Sequence, residues 1–151
     1  MIYHAIVFVH VLSAIVAVGY NAAYVVWIVR GTKEPEHLLF ALRGVRFMDS
    51  RVANPAYALL LITGIAQVVL SHRPWTEPWI EYALGLYAVL LVIALGAYSP
   101  LLNRQIATLE AKGANDPGYL ALAARQQVLG IALVLVVLAI VALMVFRPGG
   151  A

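Results

Sequence analysis

His10 is the residue of this sequence whose presence is hardest to explain by helix packing alone. It lies inside the apolar stretch FVHVLSAIVAVGYNAAYVVW, residues 8–27. An imidazole that faces lipid costs free energy unless it finds a partner, so we expect its side chain to face other helices. Neutral imidazole is the commonest metal ligand, and an ionisable side chain inside a membrane is by default a functional candidate. His10 is therefore the first predicted ligand.

Further polar residues lie on the same side of this predicted helix. At about 100° per residue, Asn21 falls within about 40° of His10, and Ser13 lies about 60° away. Packing explains both of them simply, because serine and asparagine hydrogen-bond across helix interfaces in membranes. We include both in the predicted cofactor site. Gln67 is added because it can hydrogen-bond a cofactor edge or helix four. Tyr87 is added as a wall for a planar ring, although aromatic packing also explains it.

A second ligand is sought among the histidines of the same end of the protein. His72, in the segment LSHRPW at the outer end of helix two, is the best candidate, although a solvated loop histidine explains it equally. His4 lies about 120° from His10 on the helical wheel, which disfavours a shared pocket. His37 is predicted to be a surface residue. No pair of histidines or carboxylates has the short spacing of a zinc signature.

The composition predicts a membrane protein. Of 151 residues, 64% are hydrophobic and 11% are charged, and the mean hydropathy is +0.91. A soluble domain is about half apolar and about a quarter charged. The net charge of +3 does not indicate nucleic-acid binding, because the basic residues lie between the long apolar runs. The absence of cysteine excludes disulfides, iron–sulfur clusters and thiolate-bound haem.

Four apolar runs predict the fold class. They cover residues 5–29, 52–70, 80–102 and 128–146, each near or above the ~20 residues that cross about 30 Å of hydrocarbon as a helix. We therefore predict an all-α membrane protein, an antiparallel four-helix transmembrane bundle that forms a single domain, residues 1–151. Before helix two, PEHLLFALRGVRFMDSRV has helical amphipathic spacing. It is predicted to be a cytoplasmic surface helix or an inward extension of helix two.

The basic residues predict the orientation. Arg73 and Arg147 stand on one side of the predicted membrane, and the other eight lie in the first and third connections: Arg30, Lys33, Arg43, Arg46, Arg51, Arg104, Lys112 and Arg125. By the positive-inside rule, these connections face the cytoplasm and both termini face out. In the third connection, Asp116 is expected to cap a helix that begins at Pro117.

The acidic residues suggest no chemistry within the membrane. All of them are expected in loops or at helix ends, which disfavours proton pumping through buried carboxylates. Phosphate-binding loops, catalytic triads and paired-carboxylate motifs are also lacking in the sequence.

Several motifs resemble those of a known family. His10 and Gly19 precede a basic connection, and FMDSRVANPAYALLLITGIA follows, with Asp49, Pro55 and Thr63–Gly64. This arrangement resembles uncharacterised bacterial four-helix integral membrane proteins described as a domain of unknown function. The resemblance implies a multi-pass protein of the bacterial inner membrane.

A more distant similarity indicates which cofactor His10 could bind. The chain is similar to membrane-bound bacterial protoporphyrinogen oxidases and to copper-resistance membrane proteins, which also place a histidine early in helix one. In the oxidases that histidine is associated with b-type haem, which by likeness falls on His10 here. The resemblance therefore implies haem b.

The predicted function is binding of haem b in the outer half of the bundle, with His10 and His72 as axial ligands. Six-coordinate iron suits electron transfer, with a quinone or another redox membrane protein as partner. One alternative is a protoporphyrinogen-oxidase-like enzyme. The other is a cofactor-free structural or copper-handling subunit. Copper handling is disfavoured because Cu(I) prefers sulfur ligands, and the chain has three methionines and no cysteine.

Overall fold

A computed structural model describes residues 1–148, and within this range every regular element is a helix. The α-helices are α1 (Ile2–Lys33), α2 (Pro35–Met48), α3 (Asn54–Leu70), α4 (Pro78–Ile93), α5 (Ser99–Lys112) and α6 (Pro117–Phe146). Two π-helical turns, π1 (Asp49–Ala53) and π2 (Ala94–Tyr98), join α2 to α3 and α4 to α5. The last three residues of the predicted domain 1–151 lie outside the described residues.

The helices form four long rods, which confirms the predicted four-helix architecture. The rods are α1, α2–π1–α3, α4–π2–α5 and α6, and each is long and apolar enough to cross a membrane. They contain 30 to 36 residues, or about 45–54 Å of helix, against about 30 Å of hydrocarbon. All four predicted runs lie within these rods, and the longest extensions beyond the runs lie at one end of the bundle.

The two ends of the bundle differ. The terminal end holds the N-terminus, the last described residues and the connection 71–77, and the basic end holds α2, α5 and the first turns of α6. At the basic end α1 packs on α2, α2 on α5 and α5 on α6, which closes a small apolar core. Leu42, Val45 and Leu102 are fully buried there.

The amphipathic segment is an inward extension of helix two. One face of α2 buries Leu38, Ala41, Leu42 and Val45, while Arg43 on another side is exposed. The helix then continues through π1 into α3 without a break. The sequence left open a surface helix and an inward extension of helix two, and the structure shows the extension.

Each π turn stands just before a proline. π1 ends at Ala53 and π2 at Tyr98, and Pro55 and Pro100 follow after one further residue. Proline lacks a backbone N–H and crowds the preceding turn, so the regular α-helical bonding cannot pass through it. A wider π turn is one way for a helix to absorb such an interruption. At both Pro55 and Pro100 the structure shows such a turn just before the proline.

The turn before α6 has the predicted cap. Asp116 Oδ1 accepts a hydrogen bond of 3.1 Å from the backbone N–H of Tyr119, and Pro117 occupies the first turn of α6. A side-chain cap of this kind is worth about 1 kcal/mol. The cap therefore fixes where α6 begins.

Gly31 sets the distance between α1 and α2. A Cβ atom added there would lie 2.9 Å from Ala41 Cβ and 3.2 Å from Leu38 Cα. Neither atom belongs to a flexible side-chain end, so the helices would have to separate. We expect Gly31→Ala to lower the free energy of unfolding in detergent by about 1–3 kcal/mol, the usual cost of overpacking.

Gly19→Ala is the matched control. A Cβ at Gly19 meets nothing within 4 Å, so we expect an unchanged or higher stability, by up to about 1 kcal/mol, from the better helix propensity of alanine. Equal melting temperatures for the two variants would contradict the assigned α1–α2 contact.

Candidate functional site

His10 lies between α1 and α3, and its Nδ1 atom is fixed by a hydrogen bond. Nδ1 is 2.9 Å from Thr63 Oγ1. The Thr63 hydroxyl donates its own proton to the Leu59 carbonyl at 2.6 Å, so Oγ1 acts as the acceptor for His10. The imidazole is thereby assigned the tautomer protonated at Nδ1, which leaves a lone pair on Nε2.

Gly64 allows the imidazole to lie this close to α3. A Cβ atom at Gly64 would be 3.2 Å from His10 Cε1 and 3.7 Å from Nδ1. Within residues 1–148, Nε2 of His10 has no hydrogen-bond partner. Metal-bound histidines usually donate their other ring N–H to a protein acceptor, which fixes the ring and its tautomer. The hydrogen bond between His10 and Thr63 therefore joins α1 to α3, and it leaves Nε2 able to bind a metal.

Two other predicted residues lie near this level but bond to their own helices. Ser13 is buried and donates to the Val9 carbonyl at 2.8 Å. Gln67 Nε2 donates to the Thr63 carbonyl at 3.3 Å. Gln67 therefore lies one turn beyond Thr63, the partner of His10. Its amide nitrogen is already used, so its Oε1 atom is the one that could accept a hydrogen bond from a ligand.

Asn21 and Tyr87 both hydrogen-bond to Tyr57, in another layer of the bundle. Asn21 Nδ2 donates to the Tyr57 hydroxyl, and the Tyr87 hydroxyl donates to the Tyr57 backbone carbonyl at 2.5 Å. This layer lies eleven residues along α1 from His10, or about 16 Å. The structure therefore divides the predicted site residues between two levels of the bundle.

His72 is not brought against His10. It is exposed, has a left-handed backbone (φ 53°) and stands in the turn that follows α3. It is nine residues beyond Thr63, which corresponds to about 13 Å along the helix axis. In the described range 1–148, no three histidine or acidic side chains form a metal-binding group. The pairing of His72 with His10 stays a prediction.

Asp49 is a charged residue whose burial the sequence analysis did not predict. It lies at the end of α2, where π1 begins, which agrees with the expected position at a helix end, but it is only 6% exposed. Its Oδ2 atom accepts a hydrogen bond of 2.9 Å from Ser99 Oγ and an ion-pair contact of 3.2 Å from Arg46 Nη1. Ser99 directly follows π2, so this carboxylate joins the two π turns.

Further buried polar residues lie near the π turns. Tyr24 on α1 and Tyr98 in π2 belong to one buried cluster with Ala53 of π1. Gln126 on α6 donates to the Tyr98 backbone carbonyl at 3.4 Å. Tyr24 Oη and Gln126 Oε1 are buried and have no protein partner within residues 1–148. Buried polar groups of this kind are usually satisfied by ordered water or a ligand.

A signal for the burial of Asp49 exists in the sequence. Leu38, Leu42, Val45 and Asp49 follow one another at spacings of four, three and four residues. These spacings place Asp49 on the buried face of α2. The amphipathic pattern was assigned only to the apolar members of this series, so the carboxylate was missed.

We expect Asp49→Ala to lower the free energy of unfolding by about 2 kcal/mol. Removing one member of a buried ion pair costs roughly 3–5 kcal/mol, and the loss is smaller here because the Arg46 side chain is 34% exposed. Asp49→Asn keeps an oxygen acceptor for Ser99 and should cost less. Unfolding in detergent measures both variants.

Glu36→Ala is the control for Asp49→Ala, because the Glu36 side chain is 80% exposed. It should change stability by less than about 0.5 kcal/mol. If Asp49→Ala were as mild as this control, the carboxylate would not be holding the two π turns together.

Comparison with known proteins agrees with this architecture. No curated protein matches the chain, and no solved structure matches it. A family described as "Predicted integral membrane protein (DUF2269)" matches residues 4–148, which include all four rods except the first residues of α1. The chain is therefore an integral membrane protein that belongs to the DUF2269 family.

Proposed function

We propose that this protein binds haem b in the half of the bundle toward the terminal end, with His10 Nε2 as an axial ligand. The observation that carries the proposal is the orientation of the imidazole. Its Nδ1–H is used by Thr63, and its Nε2 is free. This is the arrangement of a histidine prepared for a metal, because the second hydrogen bond fixes the ring and raises its basicity.

The chemical character of the residues around His10 suits an iron porphyrin. The apolar side chains of α1 and α3 supply a low-dielectric wall, and Gly64 leaves room for the imidazole against α3. Haem, when bound, supplies the one-electron redox chemistry. The chain orients its imidazole through Thr63 and offers the Gln67 amide one turn away.

For the second axial position we propose His72. This requires the connection 71–77 to fold toward His10, since His72 is exposed at the end of α3. Six-coordinate iron would make electron transfer the function, with a quinone or another redox membrane protein as partner. If the iron is held by His10 alone, an open coordination position remains, and the oxidation of a porphyrinogen becomes the better description.

The experiment is an absorption spectrum of the protein purified in detergent from haem-replete cells, oxidised and then reduced. We expect a Soret band and sharp reduced α and β bands. His10→Ala should abolish them, because the ligand is lost. His37→Ala is the matched control, since this histidine is exposed near the start of α2, and it should leave the bands unchanged.

Two further variants test the details of the site. Thr63→Val keeps the side-chain volume but removes the acceptor of Nδ1–H, and should weaken haem binding by roughly 10–100-fold. His72→Ala should convert a low-spin spectrum to a high-spin one if His72 is the second ligand. A colourless wild-type protein would overturn the proposal and leave His10 as a residue that joins α1 to α3.

We also propose that both termini face the outside of a bacterial inner membrane. Eight of the ten lysines and arginines belong to the basic end, where the positive-inside rule places the cytoplasm.

The orientation is testable because the chain has no cysteine. Thr76→Cys lies in the exposed connection 71–77, and Lys112→Cys is exposed at the basic end. A membrane-impermeant maleimide applied to intact cells should label Thr76→Cys only, and labelling of Lys112→Cys should require permeabilisation. The opposite pattern would reverse the orientation.

A further inference from the structure

An open apolar groove runs between the third rod and α6 near the basic end. It has a volume of about 500 Å³ and is lined by Ala97, Leu101, Ala124, Arg125, Val128 and Leu129. Its floor is apolar, and Arg125 is its one charged lining residue. The groove opens on the outer surface of the bundle, where Val128 is 66% exposed.

Small side chains leave room for the groove. Ala97 lies in π2 and Ala124 lies on α6, and neither extends beyond Cβ into the space between the rods. In a protein that spans a membrane, an apolar groove on this surface faces acyl chains rather than water.

Arg125 lies where the groove reaches the edge of the hydrocarbon. It precedes the uncharged run 128–146 by less than one helical turn. Such a position corresponds to the headgroup level of the bilayer. The groove is therefore apolar along its floor, and its positively charged end lies at the headgroup level.

The arginines at this end of the groove have no carboxylate partner. Arg43 and Arg46 are paired with Glu110 and Asp49, whereas in residues 1–148 no acidic group lies within ion-pair distance of Arg125 or Arg104. Arg104 is exposed and stands one turn beyond Leu101 on α5. The charge at the groove is therefore available to an external anion.

We propose that this groove binds one anionic phospholipid, with an acyl chain between Ala97 and Ala124 and the phosphate on Arg125. Guanidinium binds phosphate oxygens in a bidentate manner, which favours arginine for this contact. Basic residues at the membrane surface each attract anionic lipid. A second helix would fill the apolar floor but would leave the two guanidiniums without an anion. The proposal does not depend on haem.

Native mass spectrometry of the full chain tests this site, with dioleoyl phosphatidylglycerol and dioleoyl phosphatidylcholine as probes. The wild type should retain one phosphatidylglycerol in preference to phosphatidylcholine. Arg125→Gln removes the charge and leaves the groove, and should weaken retention about fivefold, the effect expected of one basic residue at the membrane surface. Ala124→Leu fills the groove and leaves the charge, and should weaken retention by a similar factor.

Arg51→Gln is the matched control, because Arg51 is an exposed arginine of the basic end outside this groove. It removes the same charge and should leave retention unchanged. The proposal is overturned if Arg51→Gln weakens retention as much as Arg125→Gln, if Ala124→Leu has no effect, or if both lipids are retained equally. Unfolding in lipid-free detergent verifies that each variant is folded.

Discussion

The Asp49 carboxylate joins the two halves of this bundle. Its Oδ2 atom holds Ser99 at the end of one π turn and Arg46 just before the other. A buried carboxylate is costly unless it is paired and hydrogen-bonded, and here both conditions are met by groups on two different rods. The positions of α2 relative to α5, and so of the first helix pair relative to the second, depend on this contact together with the apolar core of the basic end.

The π turns and the carboxylate belong to one arrangement. Pro55 and Pro100 each interrupt a long helix at the same level of the bundle, and the wider turns before them bring Asp49 and Ser99 together. π turns inside α-helices are frequent at functional sites. Tyr24 Oη and Gln126 Oε1 are buried without a hydrogen-bond partner among residues 1–148, so the core of the bundle is polar there in a way that apolar packing alone does not require.

In the proposed haem site, His10 would serve packing and chemistry at once. Its Nδ1 hydrogen bond to Thr63 joins α1 to α3, and the same bond leaves Nε2 without a protein partner in residues 1–148. The two roles do not compete, because they use different nitrogen atoms. A histidine that only joined helices would need no partner for Nε2, whereas a haem ligand would bind iron through this atom. The partner of Nε2 therefore distinguishes the two roles.

The sequence by itself determined the four spans, the all-helical class, the inward side of α1 and the Asp116 cap, because apolar runs and caps are local patterns. On α1 it identified Ser13 correctly as inward-facing. The contacts between distant residues were decided by the tertiary structure alone. His10 and Thr63 are 53 positions apart, and Asp49 and Ser99 are 50 apart. A hydropathy pattern shows which side of a helix is buried, but it does not show which residue of another helix lies opposite. For this reason the division of the predicted site into two levels, the exposed position of His72 and the contact of Asp49 with Ser99 emerged only when the helices were packed together.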